Sequence, residues 1–167
     1  MSDLTHIDPK DGRARMVDIS DKDATSRVAI ARGRISMLPE TLSIATRGSS
    51  KKGDPIAIAE LAGIMAAKRT SDLIPLCHPI PITSVKVNIT PHDKDNALIV
   101  TTTVKTTGKT GVEMEALTAV SVACLTLYDM LKAADKSMVI GRVEVIEKTG
   151  GKSGNCRKLD QAPVQSA

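Results

Sequence analysis

The 167-residue chain predicts an α+β fold, a ferredoxin-like β-α-β-β-α-β sandwich whose antiparallel sheet carries its helices on one face. Three observations carry this. The stretch ITSVKVNIT (Ile82 to Thr90) alternates cleanly, with Val85, Val87 and Ile89 on one face and Ser84, Lys86, Asn88 and Thr90 on the other. It is followed by a turn, PHDKDN, and by a second strand-like run, ALIVTTTVKTT, so the two read as a hairpin. One apolar helical stretch precedes this hairpin and another follows it, and a β-branched run lies beyond each.

The elements follow in order. Residues 1–15 are polar and charged and are expected to be a flexible N-terminal segment. SRVAIARGRISM (Ser26 to Met37) is β-branched and partly alternating, which predicts the first strand. Pro39 opens a short helix and Gly48 is placed to end it. SSKKG forms a basic loop, after which Asp54 can cap a helix with Pro55 at its first position. That helix, IAIAELAGIMAAK, carries Glu60 as its one charge before Lys68. A long helix is expected from about Val112 to Ala134, and MVIGRVEVIEK supplies the last strand. Leaving out the short helix gives the split βαβ order, and no repeat with a fixed period interrupts it. Residues 16–158 therefore read as one domain, with 159–167 as a flexible tail.

Composition narrows the possibilities. Phe and Trp are absent and Tyr128 is the one aromatic, so Ile, Leu, Val, Met and Ala must fill the core. The formal charge is +4 and the pI about 9.0, which suits an anionic ligand without demanding a nucleic acid. Cys77, Cys124 and Cys156 are odd in number and widely spaced, so they propose neither a disulfide framework nor a metal site. The N-terminus lacks a secretory pattern, and the apolar stretches fall short of the roughly 18 residues of a membrane span. The expectation is a soluble, cytoplasmic protein with no membrane partner. Both main helices are apolar nearly all round, unlike a helix on a monomer surface. The sheet covers one side, and a second subunit is the expected cover for the other.

Candidate chemistry lies in three places. In KTGVEMEAL, Thr110 and Glu113 fit a capping box at the start of the long helix, and Glu115 suits the positive end of its dipole. Near the other end, Asp129, Lys132 and Lys136 share a face. A surface ion pair accounts for them, although Asp129 sits at the disfavoured end of the dipole. Glu115 and Asp129 are ~21 Å apart along a helix of about 1.5 Å rise per residue, so one helix cannot bring both to one reacting centre. In RTSDLIPLCHPIPIT, Pro75, Pro79 and Pro81 stiffen the chain around Cys77 and His78. Such a run holds an imidazole at fixed geometry, or simply connects helix to strand. The third set is basic: Lys51, Lys52, Lys148 and the GGKSGN stretch. The last fails the phosphate-loop pattern, because Ile146 stands where its first glycine is required.

Several segments taken together resemble the cyclic pyranopterin monophosphate synthases of molybdenum cofactor biosynthesis. They are MVDIS (Met16 to Ser20), KGDP (Lys52 to Pro55), AAKRTSDLIPLCHP (Ala66 to Pro79), TGVEMEALTAVS (Thr110 to Ser121), LYDMLKAADK (Leu127 to Lys136) and KTGGKSG (Lys148 to Gly154). The resemblance implies a homohexamer, a trimer of dimers, with sites between subunits. It implies a nucleotide triphosphate substrate, (8S)-3′,8-cyclo-7,8-dihydroguanosine 5′-triphosphate, converted to cyclic pyranopterin monophosphate and diphosphate by a lyase. It implies Asp129 as catalytic carboxylate, with Lys132 and Lys52 as further catalytic groups. Leu76, Cys77, His78, Glu113, Met114, Glu115 and Lys148 are the implied substrate-binding residues. No metal site and no cofactor are implied.

Two other readings compete. An RNA-binding module of the same topology would stack bases on strand aromatics, which this chain lacks. A non-catalytic assembly subunit would explain the apolar helices but not the stiffened Cys77–His78 run.

Overall fold

The computed structural model describes residues 5–48, 53–151 and 154–158. In chain order these form β1 (Thr25–Ser36), α1 (Pro39–Thr46), α2 (Pro55–Ala67), α3 (Thr70–Leu73), β2 (Ile82–His92), β3 (Ala97–Gly108), α4 (Glu113–Leu131), β4 (Val139–Thr149) and β5 (Cys156–Arg157). The sheet order is β2-β3-β1-β4-β5, antiparallel throughout. The four long strands thus take the expected split βαβ arrangement, with α2 and α4 on one face. The two-residue β5 adds an edge strand that no sequence pattern announced. Ahead of β1, Ile7 bridges Ala14 and Arg15 pairs with Asp8 at 3.0 Å, closing a small turn.

Small side chains replace the missing aromatics. In β1, Ala29, Ala31 and Ile35 are fully buried at alternate positions, with Gly33 between them. A Cβ at Gly33 would collide with the Val120 side chain, so α4 lies directly on the strand. At the helix pair, a Cβ on Gly63 would come within 3.0 Å of the Ala119 carbonyl oxygen. Ala and Gly therefore let the layers approach closely and recover dispersion contacts that large rings would otherwise supply. Val87 and Ile89 are buried under α2, and Val85 packs beside them, as the alternation predicts.

Polar groups fix how these layers sit. Asp54 caps α2, accepting from the N–H of Ile56 at 2.9 Å and of Ala57 at 3.2 Å. Glu60 reaches the edge strand and accepts from the Ile89 N–H at 3.2 Å, which accounts for the one charge on that helix. Buried Thr102 donates to the Ala116 carbonyl at 2.9 Å, tying β3 to the start of α4. At the far end, buried Asp135 accepts from the Leu38 N–H at 2.9 Å and from the Ser137 N–H and hydroxyl at 2.8 and 2.6 Å. Leu38 is the N-cap of α1 and brings no capping side chain, so Asp135 supplies one from another part of the chain.

One composition-based expectation needs correction. α4 has 19 residues and a mean hydropathy of 1.4, which by length and composition alone suffices to cross a membrane. Its apolarity has a different cause: Ala116, Ala119, Val120, Ala123, Cys124 and Leu127 are buried against the sheet and α2. The outward faces remain apolar as well. Leu61, Met65, Leu73 and Leu125 are each more than half exposed, and Met65 and Leu73 line a shallow depression between α2, α3 and α4.

Candidate active site

The N-terminal end of α4 gathers most of the expected substrate-binding residues. The helix begins at Glu113, and its N-cap is Val112 with no side-chain cap. The Thr110–Glu113 capping box is therefore not formed. Glu113 turns instead toward β4 and pairs with Lys148 at 3.3 Å, each side chain about one-third exposed. A charged partner at the end of the neighbouring strand outcompetes the helix's own N–H groups. Thus Lys148 is engaged by a carboxylate rather than held ready as a bare cation. Met114, next in the chain, is half-buried.

Glu115 points inward and is 3 % exposed. Burial pushes its carboxyl above the ordinary range; the Glu113 charge adds to this, and a hydrogen bond from its own N–H partly offsets it. The stiff run lies close by. Leu76, Cys77 and His78 are half-buried, and Cys77 donates its N–H to the Ile74 carbonyl at 3.1 Å. Thr106 donates to the Pro81 carbonyl at 2.8 Å, pinning the exit of the proline run to β3. Burial raises the Cys77 thiol, and the Glu115 charge raises it further. Such a thiol is a weak nucleophile, which fits a lining role.

The C-terminal end of α4 carries the other pair. Lys132 Nζ lies 2.6 Å from Asp129 Oδ1, with the side chains 51 % and 61 % exposed. The hydrogen bond to Asp129, followed by its charge, raises the lysine further. The expected water-poor acid–base couple is therefore not complete within one chain: the pair stands on the surface, where water screens it. Its neighbour Tyr128 donates its hydroxyl to the Lys136 carbonyl at 3.3 Å. Lys52, the remaining expected catalytic group, lies outside the described residues. Among the described residues, no three His, Cys, Asp or Glu side chains come together as a metal site.

Arg27, which sequence spacing does not single out, also belongs to this region. Arg27, at the start of β1, donates to the carbonyls of Gly108 at 2.9 Å and Lys109 at 3.2 Å, holding the loop before α4. Gly151 has φ +79, and a Cβ there would strike the Arg27 guanidinium, so the chain after β4 crosses directly over it. Lys109 in turn donates to the Ser20 carbonyl at 2.6 Å. These links join positions far apart in the chain, and no local periodicity records them.

The chain was also compared with known proteins. A family model described as the MoaC family matches residues 16–151. A protein of Thermomicrobium roseum named cyclic pyranopterin monophosphate synthase is 56% identical over 160 residues, covering 96% of each chain. Proteins with that name from Cereibacter sphaeroides and Dinoroseobacter shibae are each 58% identical over 154 residues; the alignments cover 92% of this chain and 96% and 97% of theirs. With the split βαβ sandwich and the grouping around α4, matches of this extent establish that the chain belongs to the MoaC family.

Proposed function

We propose that this chain is a cyclic pyranopterin monophosphate synthase, a lyase that turns (8S)-3′,8-cyclo-7,8-dihydroguanosine 5′-triphosphate into cyclic pyranopterin monophosphate with loss of diphosphate. The observation that carries the reading is near-full-length identity to proteins of that name. The Glu115 charge acting on Cys77 and the Glu113–Lys148 pair, both at the N-terminal end of α4, support it. The catalytic domain spans 16–158.

The chemistry divides between the two ends of α4. Rearranging a purine-derived ring requires repeated proton transfers, and closing a cyclic phosphate expels diphosphate. Asp129 and Lys132 are the coupled acid and base. Lys52 is a general acid or phosphate clamp, and Lys148 offsets phosphate charge when substrate loosens its pairing with Glu113. Leu76, Cys77, His78, Met114 and Glu115 hold the ring-forming part.

The two ends lie at opposite termini of a 19-residue helix, so a complete site draws them from different subunits. The exposed Leu61, Met65, Leu73 and Leu125 side chains favour such an assembly, a homohexamer built as a trimer of dimers and working in the cytoplasm. Incubating the purified chain with the cyclised nucleotide tests the activity: diphosphate and the fluorescent oxidised pterin are expected. A pure, hexameric preparation that releases neither would overturn the reading, and sedimentation as a stable monomer would overturn the assembly.

A further inference from the structure

The turn that follows α4 is built around a buried carboxylate, Asp135, which is 4 % exposed. Its own N–H donates to the Leu131 carbonyl at 3.2 Å, as does that of Ala134 at 2.8 Å, so the turn closes the end of the helix. The carbonyl of the next residue, Lys136, accepts from the Tyr128 hydroxyl at 3.3 Å. Leu131 immediately precedes Lys132, and Tyr128 immediately precedes Asp129. The turn is therefore bonded to α4 at the residue before each member of the exposed pair. Its other attachment is to α1: the Asp135 carboxylate accepts from the Leu38 N–H at 2.9 Å as well as from Ser137. Charge gives this attachment a direction. A helix dipole disfavours an anion at its C-terminal end and favours one at its N-terminal end. Asp135 follows α4 and caps α1, so α1 holds it where the field of α4 alone would push it away. The Ser137 hydroxyl and then the Leu38 N–H keep its carboxyl below the ordinary range, against the opposing effect of burial, so it stays charged.

We propose that Asp135 is a positioning residue for the Asp129–Lys132 pair: by pinning the turn to α1 it fixes the last turn of α4, and with it the direction in which both side chains leave the helix. Asp129 and Lys132 are each more than half exposed, so their bearing depends on the backbone that carries them. Asp135 acts on that backbone at two bonds, through Leu131 and through the Lys136 carbonyl. A pair that must meet a ligand at a boundary between subunits needs such an anchor, because small misplacements of reacting groups cost rate steeply. The consequence for turnover rests on the proposed function; the anchoring of the last turn does not.

Full-length protein carrying tyrosine ¹³C-labelled at the ring ζ-carbon gives one signal, from Tyr128, which reads the hydroxyl bonded to Lys136. Two variants cut the anchor from opposite sides. Asp135→Ala removes the carboxylate. Leu38→Pro removes the N–H it holds on α1, and Leu38 already has the φ of −67 and ψ of 150 that proline adopts ahead of Pro39. Both are expected to move the Tyr128 signal. Each should lower kcat by about tenfold with KM changed less than about twofold, at a temperature where the variants are folded and assembled like the wild type. Asp135→Asn keeps an acceptor oxygen and should recover part of the loss. Gly33→Ala, which disturbs α4 at its middle, is the destabilised control and should move neither readout. An unmoved Tyr128 signal, wild-type kcat in both cut variants, or an equal loss of kcat in the control would overturn the proposal. If Asp135→Ala does not fold, Leu38→Pro decides it on the same two readouts. If the wild type itself releases no diphosphate, the functional reading falls and the Tyr128 signal alone decides the anchoring role.

Discussion

The two ends of α4 solve opposite problems. At the N-terminal end the chain encloses its own acid: Glu115 is 3 % exposed, Glu113 is matched by Lys148, and Cys77 lies within range of the Glu115 charge. At the C-terminal end Asp129 and Lys132 are matched to each other and left open to water. Burial tunes the first end, raising Glu115, whereas the second is a surface ion pair whose lysine is only held more firmly charged. One end is therefore enclosed by its own chain, and in the proposed assembly the other gains the reactivity of a desolvated site only when a neighbouring subunit covers it. In the proposed assembly the helix is a spacer that supplies different parts to different sites.

The largest expected effect breaks the exposed end. Asp129→Asn and Lys132→Ala, each still hexameric, should lose turnover by at least about 10²-fold in a diphosphate-release assay. Near wild-type rates in either would remove the pair from the mechanism. A complementation experiment then asks whether the two ends meet across subunits. Asp129→Asn and His78→Ala chains, co-expressed and randomly mixed, should regain up to about one quarter of wild-type activity, because shared sites sometimes receive both intact ends. No recovery in verified hybrids would mean that each chain supplies its whole site.

The middle of the spacer gives a smaller effect. Gly33→Ala places a methyl group against Val120 and should destabilise folding by about 1–3 kcal/mol, read by denaturant unfolding, without altering the chemistry of either end. Unchanged stability would show that α4 lifts off the strand freely. The smallest effect concerns the enclosed acid. Glu115 has an ordinary value of 4.5 and is raised in the folded chain. The folded state therefore keeps this proton to higher pH than the unfolded state. Its contribution to stability is greatest below about 4.5, declines as pH rises through the folded value, and is flat above it. Glu115→Gln removes that decline. The melting-temperature difference, variant minus wild type, should increase from pH 5 to pH 8, and a difference independent of pH would show that Glu115 is not raised.

Much of the fold was legible because local signals agreed with one another. Asp54–Pro55 marked the start of α2, Gly48 followed the end of α1, and alternation in β2 named its buried face. The long helix was placed correctly but began later than its apparent capping box, because Glu113 finds a stronger partner in Lys148. That partner is distant in sequence and has no local signature. The same holds for Arg27 and Lys109, whose links cross between the N-terminal segment, β1 and the loop before α4. The site residues are proposed from family resemblance rather than from spacing. Spacing along α4 nonetheless showed that Glu115 and Asp129 cannot serve one centre within a single helix.

Tyr128 gives the molecule an unusual optical property. It is the sole aromatic ring, it is half-buried, and it adjoins Asp129 in the sequence. With neither Trp nor Phe to contribute background, the intrinsic ultraviolet fluorescence of the whole polypeptide arises from one known place. Quenching or anisotropy recorded on unlabelled protein would therefore report on that turn of α4 alone, so nucleotide titrations and assembly could be followed at a defined address without introducing a dye.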